Sequence, residues 1–386
     1  MLASNLTEHS AALGDRRTAR VAHTIRDFGR DAWNACFPGE IETFDYLAAV
    51  EYAGITGFSW RYVVVCDGPE IVAAMPAFLC DYALDTTLEA GLLSTIITSV
   101  RRVFPAFLKL RLACLGSPCT EAGVVGFNPC VPEDRQEEMF LRLLDAFEAH
   151  AASEGCGLAA LKDLSLPLHP VVNQALSSRG YAGADGMATA WLDINFNSID
   201  AYLAGLSSGT RKDMRRKLRM RDQVRIEYRR DLEGALDRVT ALYRDTRARS
   251  EWQFEELTPE YFEGVLANMM GRSFCVLYYV GDELLAANLL VHDGHTLVDK
   301  FFCMDAERGR PYNLYYLSWF TNLEYCLRHD MRRYQSGQAY YANKVRLGSR
   351  LTSNLMLFRH RNRLIQSILR TAAPFFSVGN EREDAC

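Results

Sequence analysis

The chain has 386 residues, 49% of them hydrophobic and 24% charged, and a formal net charge of −5. This length exceeds what one ordinary core fills and indicates two domains, and the composition is that of a soluble globular protein. The negative charge excludes a protein that coats nucleic acid generally, so any contact with a polyanion must be local.

The cysteines, the N-terminus and the apolar segments indicate a cytoplasmic protein without a membrane-spanning segment. Eleven cysteines are scattered without a Cys-x-x-Cys pair, which favours reduced thiols in a cytoplasmic protein over a disulfide framework or a metal site. The N-terminus lacks a basic segment followed by an apolar run, so no signal peptide is expected. The longest apolar region, residues 91–114, contains Arg101, Arg102 and Lys109 and is too charged to span a membrane. A half-buried helix followed by a strand is expected there, with an amphipathic surface near a membrane or a lipid-linked substrate as the alternative.

The first half of the chain mixes helical and strand patterns. Residues 1–20 are expected to form a loose leader, and residues 21–194 a first domain. Asp67-Gly68 separates two β-rich runs, which is a clear hairpin signal. The predicted helices are Val21–Cys36, Thr43–Tyr52, Glu133–Ser153 and Val171–Arg179, and the predicted strands are Phe58–Cys66, Ile71–Leu79, Lys109–Leu115, Ala122–Phe127, Gly157–Lys162 and Thr189–Ile194.

The second half, residues 195–386, is expected to form a second domain. The predicted helices are Ser198–Leu206, a basic helix from Arg211, Leu232–Ala248, Pro259–Met270, Asn313–Arg328 and Arg363–Leu369, and the predicted strands are Val224–Arg230, Ser273–Val280, Leu284–His292, His295–Cys303, Arg332–Gln335 and Asn354–His360. A strand, two helices, three antiparallel strands, a helix and closing strands follow the element order of the GNAT acyltransferase fold. The first half gives a looser version of that order. The predicted class is α+β, with two tandem GNAT-like domains, each a mostly antiparallel mixed sheet flanked by helices.

A basic segment opens the second domain. From Arg211 to Arg230 there are ten Lys or Arg residues against three Asp or Glu residues. Thr210 followed by Asp213 is a capping-box pattern, which predicts a helix that begins at Arg211. Either this is a solvated basic helix or it binds a phosphate-rich ligand.

Three blocks resemble the Fem-type branch of the GNAT superfamily, which includes the peptidoglycan aminoacyltransferases and the BioF2-like acetyltransferases. The first is the early helix and hairpin that ends in Ala74–Ala77, and the second is Leu206–Lys217. The third, Gly337–Gly348, contains a pattern similar to the family's Tyr-x-x-Lys-x-x-x-Gly. The resemblance spans about residues 25 to 370. It implies transfer of an acyl or aminoacyl group from an activated donor to an amine, with the donor site in the second domain.

The segment Asp305–Asn313 departs from the acetyl-CoA-binding relatives. Those proteins place a glycine-rich turn before this helix, and its backbone N–H groups hold the pyrophosphate. Here there is one glycine, Pro311 removes a donor, and Glu307 would repel phosphate. The positive charge that binds the donor phosphates would therefore have to come from side chains. The predicted donor-binding residues are Arg211, Lys212, Arg215, Arg216, Lys217, Arg308 and Arg310.

Lys344 is the first catalytic candidate. It matches the family lysine, and its ammonium would hold a donor phosphate or the negative charge that develops in the transition state. The alternative is a surface lysine in a loop. Asp299 and Lys300 form a charged pair within an apolar strand, and strand alternation allows only one of them to face a site there. Asp299 is the predicted catalytic member.

Aromatic residues complete the predicted site, and each has a packing alternative. Tyr341 is a candidate to protonate the leaving group, and Tyr340 and Trp252 are candidates to contact the acceptor. His292 and His295 flank a turn and are candidate bases or exposed bystanders.

Two functions from different classes fit these patterns. The first is a cytoplasmic acyl- or aminoacyltransferase without a metal or a tightly bound cofactor, which uses aminoacyl-tRNA or, alternatively, acyl-CoA. Its acceptor would be an amine on a small molecule or on a cell-envelope precursor. The second is a non-catalytic protein that binds a glycan precursor, a lipid-linked intermediate or RNA. The sequence lacks the motifs of serine hydrolases, zinc proteases, P-loop NTPases and dinucleotide-binding dehydrogenases.

Overall fold

A computed structural model describes residues 17–83, 109–250 and 254–376. The described chain forms two compact units, and neither is continuous in sequence. Of the described residues, the first unit takes 17–38, 57–83, 109–187 and 353–376, and the second takes 39–56, 188–250 and 254–352. The two continuous domains expected from the sequence, with a boundary after residue 194, do not coincide with these units.

The elements are numbered in chain order within the described ranges. The strands are β1 (Arg17–Ala22), β2 (Phe58–Asp67), β3 (Glu70–Ala83), β4 (Lys109–Leu115), β5 (Gly126–Phe127), β6 (Leu158–Ser165), β7 (Ala182–Asp185), β8 (Thr189–Asp193), β9 (Arg225–Arg229), β10 (Ser273–Val280), β11 (Glu283–His292), β12 (Thr296–Met304), β13 (Arg333–Gln335), β14 (Arg350–Thr352) and β15 (Asn354–His360). The α-helices are α1 (Arg30–Asn34), α2 (Phe44–Tyr52), α3 (Glu133–Ser153), α4 (Pro170–Ser178), α5 (Ile199–Gly205), α6 (Ser208–Leu218), α7 (Leu236–Ala248), α8 (Pro259–Asn268), α9 (Ala306–Gly309), α10 (Leu314–Arg328), α11 (Tyr341–Arg346) and α12 (Arg363–Phe376).

The first unit is built on a sheet with the strand order β1-β2-β3-β4-β6-β15-β7, and β5 pairs with β3. Its pairs are antiparallel except β4 with β6. Helix α3 lies on this sheet with the apolar stripe that the sequence predicts, and the buried residues include Phe140, Leu143 and Phe147. Strand β15 comes from the far end of the chain and lies between β6 and β7.

The second unit has a sheet of order β14-β8-β13-β12-β11-β10-β9. Its pairs are antiparallel except β12 with β13. Helix α10 contributes Leu317, Phe320 and Leu323 to the core cluster that contains Val276 of β10. Helix α7 contacts β11 and β12, and α2 packs against α8.

The α+β class and the two mixed, mostly antiparallel sheets are confirmed. Helix α3, β4, β10 and β15 have the predicted bounds. The predicted helix Val21–Cys36 is wrong over its first part, because Val21 of β1 pairs with Val63 of β2 and Thr24 caps a short 3-10 turn. Within the predicted range the α-helix is α1, Arg30–Asn34. None of the helices described is both long and apolar enough to cross a bilayer.

The start of the basic helix also differs from the prediction. Helix α6 begins at Ser208, three residues before the predicted start, because the Ser207 side chain accepts a hydrogen bond from the Thr210 backbone N–H at 3.3 Å. Five short elements were not predicted: β1, β7, α9, α11 and β14, and β1 includes residues 17–20 of the expected loose leader.

Candidate active site

The parallel pair β12 and β13 opens into a fork in the second unit. Pairing runs from Thr296 with Arg333 to Val298 with Gln335, and β12 then continues alone on this side to Met304. After Gln335 the chain turns through residues with positive φ, among them Gly337 at 74°. We call the opening beyond Val298 and Gln335 the unit-2 fork.

A β-bulge lies on the long arm of this fork. Leu290 pairs with Asp299 and Leu289 pairs with Phe301, so Lys300 is the extra residue. Asp299 contacts residues of α10 and β13, whereas Lys300 forms an ion pair with Glu42. The two charged side chains therefore have different surroundings.

Asp299 is the centre of a hydrogen-bond network. Its Oδ2 atom accepts from Asn288 Nδ2 at 3.0 Å, from Tyr334 OH at 3.0 Å and from Asn322 Nδ2 at 3.3 Å. Burial and the Asp299 charge raise the pKa of Tyr334 well above its usual value, so this hydroxyl stays a neutral donor. The side-chain oxygens of Asn288 and Asn322 have no hydrogen-bond partner among the residues described. Nothing in the sequence singled out these three donors.

Lys344 is buried beside the fork. It lies on α11 with 5% of its surface exposed, and its Nζ donates to the Gln338 backbone oxygen at 2.8 Å. The predicted alternative, a surface lysine in a loop, is therefore wrong. Gly337, one residue before Gln338, approaches Asp299, and a Cβ placed there would lie 3.5 Å from the Asp299 backbone oxygen. The candidate residues Lys344 and Asp299 thus contact the same turn, Lys344 at Gln338 and Asp299 at the neighbouring Gly337.

The tyrosines of this segment have different surroundings. Tyr341 donates its hydroxyl to the Ala188 backbone oxygen at 2.9 Å. Tyr340 is 47% exposed, and its ring centre lies 5.6 Å from that of Tyr315. Tyr340 is therefore the one of the two that offers an accessible ring. The predicted acceptor residue Trp252 lies outside the described residues.

Helix α6 is held to this segment by Asp213. The carboxylate accepts from Arg216 Nη2 and from Arg346 Nη2, both at 2.8 Å, and Lys217 Nζ lies at 3.4 Å. Arg346 follows Lys344 on α11 and also donates to Thr210. Part of the basic charge predicted for a donor is thus balanced within the protein.

The titration of Asp213 makes this link measurable. Burial alone would raise its pKa, but hydrogen bonds from Arg216 and Arg346 and the Lys217 charge lower it to about 2. The resulting stability is fully present above the usual pKa and is lost as the pH falls from about 4 to about 2. We expect Asp213→Asn to flatten this part of the pH profile of the unfolding free energy, measured by denaturant titration. The exposed Asp222→Asn serves as the control, and a profile for Asp213→Asn parallel to the wild type would contradict the assignment.

The remaining predicted donor residues are mostly at the surface. Arg211 donates to the Ala204 backbone oxygen at 3.0 Å. Lys212 and Arg215 are exposed, and Arg215 lies 4.0 Å from Asp200. Arg216 is exposed as well but pairs with Asp213, so Lys212 and Arg215 are the exposed cations of α6 that Asp213 does not bind.

In the turn before α10, the backbone N–H groups are bonded to one of the turn's own residues, Asp305. Asp305 accepts the backbone N–H of Arg308 at 3.0 Å with its carboxylate and that of Gly309 at 2.8 Å with its carbonyl oxygen. Arg308 also forms an ion pair with Glu283, whereas Arg310 is exposed. The Asp305 carboxylate thus occupies one backbone donor of this turn, and the Asp305 carbonyl oxygen occupies another.

The first unit has a similar fork, but its own chain closes it. Strands β4 and β6 run parallel up to Leu115 and Leu161. The next residue, Lys162, lies 2.5 Å from the Asp163 carboxylate and donates to the Thr120 backbone oxygen at 2.8 Å. A Cβ at Gly123 would lie 2.3 Å from the Lys162 backbone oxygen, so the loop passes directly against this strand. We call this the unit-1 fork, and it leaves little room for a substrate.

Possible metal ligands come together in the first unit, within the part of the chain that is described. Ligand atoms of His23, His150 and Glu154 lie within 4.8 Å of one another. However, Arg61 donates to His150 Nε2 at 2.8 Å and to Glu154 Oε1 at 3.0 Å. Burial and the Arg61 charge lower the pKa of His150 to about 4, so its ring is a neutral acceptor for the arginine. The guanidinium takes the place that a metal cation would need.

Comparison with known proteins identifies the class. A family described as FemAB-like, peptidoglycan biosynthesis/recognition, matches residues 128–372, more than half of the chain. The chain therefore belongs to the FemAB-like family, and the predicted Fem-type resemblance is confirmed.

Individual relatives are distant. A Mycobacterium tuberculosis protein named "Putative 8-amino-7-oxononanoate synthase 2" is 24% identical over 82% of this chain, and the match covers 42% of that protein. This chain thus matches less than half of its curated relative. The crystal structure of FemX is similar over 91% of this chain and 99% of its own, with a TM-score of 0.57 and 14% identity. L-PGS from Bacillus licheniformis is similar over 84% of this chain and 91% of its own, with a TM-score of 0.52 and 9% identity.

Proposed function

We propose that this protein transfers an aminoacyl or acyl group from an activated donor to an amine and so forms an amide bond. The observation that carries the proposal is the unit-2 fork, where the buried Lys344 and the Asp299 network are joined by the turn through Gly337 and Gln338. The unit-1 fork is filled by Lys162 and its loop, which supports placing the reaction in the second unit.

The proposed chemistry assigns a charge or a proton to each group. The neutral amine attacks the donor carbonyl carbon, a C–N bond forms, and the bond from that carbon to the leaving oxygen or sulfur breaks. Asp299 accepts the proton that the amine nitrogen loses. Lys344 stabilises the negative charge that develops on the donor, and the Tyr341 hydroxyl is the candidate proton source for the leaving group. Tyr340 and Trp252 would contact the acceptor, an amine on a small molecule or on a cell-envelope precursor.

Aminoacyl-tRNA is the donor that we favour, in a cytoplasmic reaction. The Asp305 carboxylate and carbonyl occupy backbone donors of the turn where a CoA pyrophosphate would bind. The accessible cations Lys212 and Arg215 on α6 and Arg310 before α10 suit a larger polyanion. The protein would need no resident cofactor, only the donor as co-substrate.

Donor specificity is tested by supplying one donor at a time. We expect the purified protein to transfer a labelled aminoacyl group from charged tRNA to an amine acceptor. Charged-tRNA binding should weaken steeply between about 0.05 M and about 0.2 M salt, because phosphate contacts release counterions. Release of free thiol from acyl-CoA plus an amine, with no requirement for tRNA, would instead show an acyl-CoA-dependent enzyme of the same fold. Binding of a glycan precursor or RNA without turnover of either donor would show a non-catalytic binding protein.

A further inference from the structure

The C-terminal helix α12 exposes an apolar ridge. Leu364 is 77% exposed and Ile368, one turn later, is 65% exposed. Within the described chain, eleven large apolar or aromatic side chains are exposed, and α12 holds three of them in five residues, the third being Ile365. Isolated exposed apolar residues need no explanation, but a ridge of this kind does.

The helix is fixed to the first unit by its other face. Leu369 and Ala373 are buried, and Leu369 packs in a cluster with Phe78 and Leu112. Gln366 donates to the Gly180 backbone oxygen at 3.2 Å and accepts from the His360 backbone N–H at 2.7 Å. The exposed ridge is therefore held in position by the fold.

Positive charge accompanies the ridge. Residues 351–380 contain four arginines and no aspartate or glutamate, although the whole chain has a net charge of −5. Arg359 pairs with Glu148 at 2.6 Å, whereas Arg361, Arg363 and Arg370 are exposed. Arg363 and Arg370 are seven residues apart, which places them on one side of the helix.

We propose that α12 docks the protein onto an anionic lipid bilayer. Arg363 and Arg370 lie about a third of a turn from Leu364, at the flank of the exposed face. A helix with an apolar ridge and flanking arginines can lie in the plane of the membrane interface, where the ridge enters the acyl boundary and the arginines reach the headgroups. A lipid surface fits better than a protein partner, because a specific protein interface needs about 1,000 Å² of buried surface and this ridge offers three side chains. The arginines match negatively charged headgroups.

Vesicle flotation with the full chain tests the proposal. We expect the wild type to float with vesicles that contain about 30% phosphatidylglycerol in phosphatidylcholine, and to bind pure phosphatidylcholine at least tenfold more weakly. The double variant Leu364→Ser/Ile368→Ser should bind the anionic vesicles at least tenfold more weakly than the wild type. Arg363→Glu/Arg370→Glu should lose the preference for the anionic lipid.

Matched controls separate docking from folding. Tyr52→Ser/Met270→Ser removes two equally exposed apolar side chains elsewhere, 70% and 79% exposed, and should float like the wild type. Thermal melting confirms that each variant is folded. The proposal is overturned if the wild type stays unbound, or if both α12 variants bind like the wild type. It is also overturned if Leu364→Ser/Ile368→Ser converts a dimer to a monomer without vesicles, since a second copy would then cover the ridge.

Discussion

Lys344→Met is expected to lower kcat by about 100-fold or more, because it removes the ammonium charge while keeping a side chain of similar length. The folded protein should lose only about 1 kcal/mol of stability, since one hydrogen bond to Gln338 disappears. Single-turnover transfer from the preferred donor measures the rate, and thermal melting measures the stability. Lys344→Arg keeps the charge but not the shape, so it should restore part of the rate.

Lys162→Met is the matched control for that variant. It removes a buried lysine of strand β6 at the unit-1 fork, where the lysine pairs with Asp163. We expect it to destabilise the protein by about 3–5 kcal/mol, because it leaves a buried carboxylate without this cation. The kcat of the molecules that remain folded should be unchanged. If Lys344→Met instead kept wild-type kcat, the lysine would serve only to hold the turn.

Two substitutions of Asp299 are expected to separate its contribution to stability from its contribution to catalysis. Asp299→Ala leaves three donors without their common acceptor, at a cost of about 3 kcal/mol or more. Asp299→Asn keeps an oxygen that can accept those bonds but removes the charge and the proton acceptor. It should therefore destabilise the protein less than Asp299→Ala and still lower kcat by about 100-fold.

Denaturant titration and the pH dependence of kcat distinguish these effects. A general base should flatten the acidic limb of the pH–rate profile when it is replaced by Asn, whereas a purely structural group should not. Asp282→Asn, in the exposed turn between β10 and β11, is the control and should match the wild type in both measurements. Wild-type kcat in Asp299→Asn would contradict a catalytic role.

The site was only partly accessible from the sequence, for physical reasons. Lys344 could be found because it sits in a short pattern of Tyr, Lys and Gly within eight residues. The donors to Asp299 could not, because Asn288, Asn322 and Tyr334 lie on three elements and meet only after the sheet and α10 have packed. Within its own strand or helix, each of these residues has no sequence neighbour that marks it as part of a site.

The β-bulge at Lys300 and the ion pairs of Asp213 also depend on contacts that are distant in sequence. An apolar run such as Leu297–Met304 predicts a regular strand, and the extra residue at Lys300 appears only in the register with β11. The neighbours of Asp213 on α6 are visible at helical spacing, but Arg346 reaches it from 133 positions away. Strand bounds were predicted well because alternation and turns are local, whereas partner strands depend on the whole topology.

The position of β15 determines the order in which the first sheet can form during synthesis. Strand β7 pairs with β15 and with no other described strand, and β15 emerges from the ribosome after residues 188–352. Until then β6 and β7 each keep an open edge, which is a site for pairing with other chains. The N-terminal half therefore does not reach its final sheet as an independently expressed fragment. Its last strand arrives only when almost all of the second unit has already been translated.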